Sequence, residues 1–159
     1  PGGSLGRKLA SVREVMRPLA ECRVAQQHQT IRDVFVASSM PGRRTGAIML
    51  IDSVGVLTGL FTDSDLARML EQNNDTNFDT TIGNYMTANP ITISDTRMLA
   101  DAVEIFSARR ISELPVTNDA GEPVGLVDIT DTVAFYPTQS VNENATVIKI
   151  STSDSPSKS

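Results

Sequence analysis

The hydrophobic and polar positions of the chain switch between a helical and an extended period, and they do so in the same order twice. In the first half, Val12, Val15 and Met16 give a short helix one apolar side, with Ser11 and Glu14 at capping-box spacing and Pro18 ending it. Cys22-Arg23-Val24-Ala25 reads as a short extended piece. Thr30 then caps a helix in which Ile31, Val34 and Phe35 fall at i, i+3 and i+4 on one face. Ala47-Ile48-Met49-Leu50-Ile51 is a continuous apolar run, as expected for a strand buried on both faces. Asp52-Ser53-Val54-Gly55 turns it into a partner strand, Val56 to Phe61. Thr62 starts a helix to about Glu71, with Asp65 at the capping-box position.

A polar stretch from Gln72 to Thr80 follows, and then the order repeats. A short helix is predicted from Ile82 to Met86, an extended piece at Ile91-Thr92-Ile93, and a helix from Met98 to Arg109 with Leu99, Ala102, Val103 and Phe106 on one face. Leu114-Pro115-Val116 reads as a strand, Asn118-Asp119-Ala120-Gly121 as its turn and Val124 to Val127 as the partner strand, with a last helix from about Ile129. From Thr138 onward little can be buried, although Val147-Ile148-Lys149-Ile150 could add a strand. The expected organisation is a linker or tag at 1–10, a first repeat at 11–72, a linker at 73–80, a second repeat at 81–136 and a tail at 137–159.

Specific strings reinforce the repeat. Val15-Met16-Arg17-Pro18 and Tyr85-Met86-Thr87-Ala88-Asn89-Pro90 open the two halves. Leu57-Thr58-Gly59-Leu60-Phe61-Thr62-Asp63-Ser64-Asp65 and Pro123-Val124-Gly125-Leu126-Val127-Asp128-Ile129-Thr130-Asp131 close them. Each half alone, at roughly 60–70 residues, would be marginal, so the two should bury their apolar faces against each other and leave a pocket at the seam.

Composition narrows the function classes. The 159 residues are 40% apolar and 21% charged, ordinary for a globular chain. No apolar run approaches the ~20 residues of a membrane span. A net charge of −5 argues against non-specific nucleic-acid binding. One cysteine, Cys22, excludes an intrachain disulfide, and with no signal peptide visible a reducing cytoplasm is the expected setting. Pro1-Gly2-Gly3-Ser4 reads as a linker or cloning remnant ahead of a piece of a longer polypeptide. His28 is the only histidine, so a catalytic triad or histidine–metal cluster has no material, and this segment is not expected to be an enzyme. Arg43-Arg44 and Arg109-Arg110 could bind anionic groups bidentately or be solvated surface charge.

The duplicated order, the opening and closing strings and Ile111-Ser112-Glu113-Leu114-Pro115-Val116-Thr117-Asn118-Asp119-Ala120-Gly121 resemble the cystathionine-β-synthase (CBS) domain pair, or Bateman module, over about residues 11–136. The resemblance implies an α/β (α+β) fold: tandem repeats, each a small sheet with two packed helices, related by a pseudo-two-fold. It also implies adenosine nucleotides bound in clefts between the repeats. The family pattern places a glycine, a Ser or Thr hydroxyl for phosphate at a helix N-terminus, and an Asp or Asn for the ribose. Gly59, Thr62 and Asp65 match it. Thr62 with Asp65 also reads as an ordinary helix cap. In the second repeat Gly125 and Asp131 match, but Asp128 stands where the hydroxyl belongs. A carboxylate there repels a phosphate by roughly 1–4 kcal/mol at about 4 Å, so that cleft is expected to prefer a nucleoside, a cation-bridged ligand or nothing. Thr92, after the Asn89-Pro90 break, is the implied base contact there, and Arg44 is a further candidate for the ligand.

Arg43-Arg44-Thr45-Gly46-Ala47-Ile48 and Phe61-Thr62-Asp63-Ser64-Asp65-Leu66-Ala67-Arg68 are similar to the C-terminal CBS pair of the KpsF/GutQ arabinose 5-phosphate isomerases. That resemblance implies an N-terminal sugar-isomerase domain outside this chain, supplying arabinose 5-phosphate for the lipopolysaccharide sugar Kdo. It further implies a homodimer through the CBS pair, a tetrameric parent enzyme, and no nucleic-acid or membrane partner. No obligatory cofactor follows; AMP, ADP, ATP or CMP-Kdo is the implied regulatory ligand. The alternative is an assembly module with empty clefts.

Overall fold

The computed structural model describes residues 9–38, 46–72 and 78–133. The Arg43-Arg44 pair and the Val147-Ile150 stretch lie outside the described residues. The first half contains helix α1 (Val12–Val15), strands β1 (Arg17–Pro18) and β2 (Arg23–Gln26), helix α2 (Ile31–Ala37), strands β3 (Ala47–Ile51) and β4 (Leu57–Thr62) and helix α3 (Asp63–Gln72). The second contains β5 (Thr87–Ala88), β6 (Ile93–Ser94), α4 (Leu99–Arg109), β7 (Glu113–Thr117), β8 (Pro123–Asp128) and α5 (Ile129–Thr132).

Local chemistry explains most boundaries. At α1, Ser11 Oγ accepts from Glu14 N–H and the Glu14 carboxylate accepts from Ser11 N–H, completing the predicted capping box. Thr30 Oγ1 accepts from Asp33 N–H at 3.1 Å, starting α2 where the sequence placed it. In the two hairpin turns Asp52 and Asn118 play the same part. Asp52 Oδ1 accepts from Val54 and Val56 N–H, and Asn118 Oδ1 from Ala120 and Glu122 N–H. Gly55 (φ 97°) and Gly121 (φ 80°) then supply the left-handed residue each turn requires.

Two expected elements are shorter than predicted. The helix expected at Ile82–Met86 is one 3-10 turn, Ile82–Asn84. Its neighbour β5 takes up the chain at Thr87 to pair with β4, so the helix has no room to continue. The extended piece expected from Ile91 becomes a strand only at Ile93, where pairing with β7 begins, and Thr92 is exposed.

Each sheet has four strands and is mixed: β2-β3-β4-β5 in one and β1-β8-β7-β6 in the other. The edge strands are exchanged. β5, from the second half, pairs antiparallel with β4; β1, from the first half, pairs antiparallel with β8. The helical turns before them follow. Ala10 and Val12 pack into the core of Leu99, Phe106 and Leu114, and Ile82 into the core of Ile31, Ile48 and Phe61. Backbone bonds repeat this exchange in pairs. Val12 N–H donates to the Arg97 carbonyl (2.8 Å) as Ile82 N–H donates to that of Gln29 (2.9 Å). Leu99 N–H donates to the Ala10 carbonyl (2.8 Å) as Ile31 N–H does to that of Thr80 (3.0 Å). A pseudo-two-fold is therefore written into the hydrogen bonding.

The uniformly apolar β3 is explained by its two buried faces. Ile48 and Leu50 face α2 and α3, while Ala47 and Met49 meet Leu60, Leu126 and Cys22 at the seam between sheets. Fully burying such side chains contributes about 1.5–3 kcal/mol each. Across the seam the hairpins touch at their tips, where Leu57 N–H donates to the Gly121 carbonyl at 3.0 Å.

Candidate functional site

The seam opens into a cleft of about 250 Å³, near the small end of ligand pockets at ~300 Å³. Leu60 and Thr62 of β4 line it from the first repeat, and Ile111 and Glu113, with Thr87 and Asn89-Pro90-Ile91, line it from the second. Thr62 is the last residue of β4, and the chain passes directly from it into α3, which holds its side chain at the junction of sheet and helix. Asn89, at φ 49°, turns the chain after β5 and anchors it by donating its N–H to the Thr58 carbonyl.

Thr62 and Asp65 are bound to each other. Asp65 Oδ2 accepts from Thr62 N–H (2.8 Å) and from its hydroxyl (3.1 Å), while Thr62 Oγ1 accepts from Asp65 N–H (3.2 Å). Arg68 donates to Asp65 Oδ1 at 3.3 Å. Asp65 is 7% exposed and faces a second cavity of about 230 Å³, between α3 and the Asn84-Tyr85-Met86 segment, rather than the wall formed by Thr62. The two members of the expected site thus adjoin, one on each cavity.

Gly59 is placed by packing. A Cβ there would stand 2.1 Å from Met86 Sδ, so the bare α-carbon makes room for the opening methionine of the other repeat. Gly125 does the same for Met16. Thr92, the implied contact of the second cleft, is exposed, and its neighbours Asn89, Pro90 and Ile91 line the first cleft.

In the second repeat Asp128 occupies the strand position of Thr62: Glu113 pairs with Asp128 as Ala47 pairs with Thr62. Asp128 Oδ1 accepts from the N–H (2.9 Å) and hydroxyl (2.6 Å) of Thr130, so it serves as the cap of α5. Asp131 Oδ2 accepts from Asp128 N–H, and both Asp131 oxygens accept from the Arg17 guanidinium at 3.0–3.2 Å. The bond to Asp131 raises the Arg17 pKa. By register Arg17 stands opposite Leu126 as Thr87 stands opposite Leu60, so an arginine fills the place that a threonine has in the first cleft.

Glu113 was not singled out from the sequence. Burial, then Asp128, Asp63 and Asp65, push its carboxyl pKa above the ordinary value. Its signal lay inside the Ile111–Gly121 string. Recognising it required knowing that the start of β7 in one repeat lines the cleft beside β4 of the other. Cys22 is buried and its thiol is pushed up to about 11 by desolvation. Among the described residues, no group of three His, Cys, Asp or Glu is arranged to hold a metal ion, and no helix is long and apolar enough to cross a membrane.

The model of the CBS domain matches residues 82–138. The arabinose 5-phosphate isomerase KpsF of Escherichia coli is 35% identical over 132 residues, which span 82% of this chain and 39% of KpsF. The chain thus spans well under half the length of the curated isomerases it matches. The CBS domain pair of MJ0100, solved with 5′-methylthioadenosine and S-adenosyl-L-methionine, superposes with a TM-score of 0.66 at 23% identity, covering 81% of this chain and 97% of that one. CBSX2, solved with AMP, gives 0.64 at 22% identity, covering 78% and 93%. At these identities the structures establish the fold. The duplicated mixed sheets, the exchanged edge strands and the sequence match together make this chain a CBS-domain pair, a Bateman module and not itself a catalytic domain, homologous to the KpsF, GutQ and KdsD family of arabinose 5-phosphate isomerases.

Proposed function

We propose that the chain is the ligand-sensing regulatory module of a sugar-phosphate isomerase, an arabinose 5-phosphate isomerase of the Kdo pathway, and that it binds a nucleotide or nucleotide-sugar in the cleft between repeats. The observation that carries this reading is the composition of the cleft walls. Thr62 comes from one repeat and Ile111 and Glu113 from the other, so a ligand there touches both and biases their relative angle. A catalytic domain joined to the pair, in a cytoplasmic homodimer or tetramer, would feel that bias as a coupling of about 1–3 kcal/mol. The AMP of CBSX2 and the methylthioadenosine and S-adenosylmethionine of MJ0100 support a nucleoside-type ligand. Among the candidate residues, Thr62 lines the cleft and Asp65 the neighbouring cavity, and Asp128 and Asp131 are their proposed counterparts in the second repeat.

Thermal unfolding with AMP, ADP, ATP, CMP, CMP-Kdo and sugar phosphates tests the reading, on wild type and Asp65→Asn. A ligand at 100 times its Kd should stabilise by about 2.7 kcal/mol, and the substitution should reduce that gain. Titrating the same ligand into the full-length isomerase should change its activity. A flat screen would favour the second reading, an assembly module, for which Leu70 on α3 and Ile129 and Val133 at α5 supply exposed apolar surface. Deleting the pair would then lower the enzyme's mass in solution.

A further inference from the structure

The first cleft offers a ligand apolar walls and negative charge, and this decides which end of a nucleotide it accepts. Leu60, Ile91 and Ile111 supply apolar surface against which a base can pack. Glu113 lines the same space, and its carboxylate takes part in no side-chain hydrogen bond or ion pair with a described residue. Its Oε1 and Asp63 Oδ2 converge on Gly46, lying 3.7 and 3.4 Å from where a Cβ would stand. Asp128 is its cross-strand partner.

The usual means of holding a phosphate are otherwise engaged among the described residues. Thr62 Oγ1 already donates to and accepts from Asp65. The N-terminal turn of α3 carries Asp63 and Asp65, which cancel the positive end of the helix. Arg68 is paired with Asp65 on the neighbouring cavity, and the described residues lining the cleft include no Lys or Arg.

We infer that Glu113 is the specificity-determining residue of this cleft, which takes a nucleoside by its base and hydrogen-bond donors and discriminates against a phosphate not neutralised by a cation. The inference rests on the nucleoside-type reading above and narrows it. A carboxylate accepts from an amine or a hydroxyl and has nothing to offer a phosphate oxygen. At 4–7 Å the two would repel strongly enough for at least about a tenfold difference in affinity.

Isothermal titration of adenosine, 5′-methylthioadenosine and AMP in EDTA, into wild type and Glu113→Gln, tests this. Melting of both proteins without ligand confirms that each is folded. The expected result is that wild type binds the two nucleosides at least about tenfold more tightly than AMP. Glu113→Gln, which keeps the shape and removes the charge, should bring AMP to within about threefold of adenosine. AMP binding wild type as tightly as adenosine would overturn the inference and leave the nucleoside-type reading standing, as would a preference that Glu113→Gln leaves unmoved. If none of the three binds either protein, the nucleoside-type reading fails and takes the inference with it.

Discussion

Arg17 and Asp131 stand 114 positions apart in sequence and meet as a fork-on-fork pair, with both carboxylate oxygens accepting from the guanidinium at 3.0–3.2 Å. Side chains of 15% and 14% exposure make this a shielded contact, and it ties β1 of the first half to α5 of the second. In the β2-β3-β4-β5 sheet the corresponding position holds Thr87, and Asp65 takes Arg68 from its own helix instead. The two repeats therefore differ in more than the Thr62-to-Asp128 exchange.

Removing the guanidinium should leave Asp131 shielded and half-satisfied. Arg17→Met, which keeps the aliphatic stem, is expected to cost about 1–3 kcal/mol, between the range for exposed pairs and that for fully buried ones. Urea unfolding measures this directly. A loss below about 0.5 kcal/mol would mean that the pair adds nothing to the fold.

The paired glycines of the closing strings should respond unequally. A Cβ at Gly125 would stand 2.5 Å from the Arg17 carbonyl oxygen, which belongs to the backbone of β1. At Gly59 the obstructing atoms all belong to the Met86 side chain, which can change rotamer. Gly125→Ala is therefore expected to cost about 1–3 kcal/mol more than Gly59→Ala by forcing β1 away from β8. Chemical denaturation of the two single variants checks the order.

Cys22 should be slow to alkylate. Its thiol is buried and pushed up to about 11, so near neutral pH the thiolate is scarce. Iodoacetamide labelling in the native state should run on the order of a hundredfold slower than in urea, where the thiol returns to its ordinary range. Equal rates would show that this part of the seam opens freely.

Glu113 should make the fold less stable as pH rises. Its folded pKa lies above the ordinary 4.5, so over that interval the native state binds more protons than the unfolded chain. By linkage, stability then falls as pH climbs from 4.5 through the raised value and stays lowered above it. Glu113→Gln should accordingly raise the melting temperature at neutral pH, and the gain should fade as pH drops through 4.5. A constant difference at every pH would assign the effect to packing instead.

Much of the fold was legible because local chemistry decides it. The caps at Ser11 and Thr30, the Asx-led turns at Asp52 and Asn118, and the apolar run Ala47–Ile51 all report on nearest neighbours and on burial, which residue order displays. The same holds for the Thr62–Asp65 pair, since a capping box spans only three residues.

What the order of residues could not determine is which half completes which sheet. Val15-Met16-Arg17-Pro18 gives no sign that its strand will pair with β8, because that pairing is backbone to backbone and is set by which edge the pseudo-two-fold leaves open. The same exchange packs Gly59 against Met86. Folding leaves Thr92 exposed, binds Asp131 to Arg17, and puts Glu113 and Thr62 in the lining of one cleft. Sequence alone therefore determined the repeat, its elements and its family likeness, all of which depend on short-range pattern. The tertiary structure alone decided the chemistry of the cleft, because its lining is assembled from residues of both repeats.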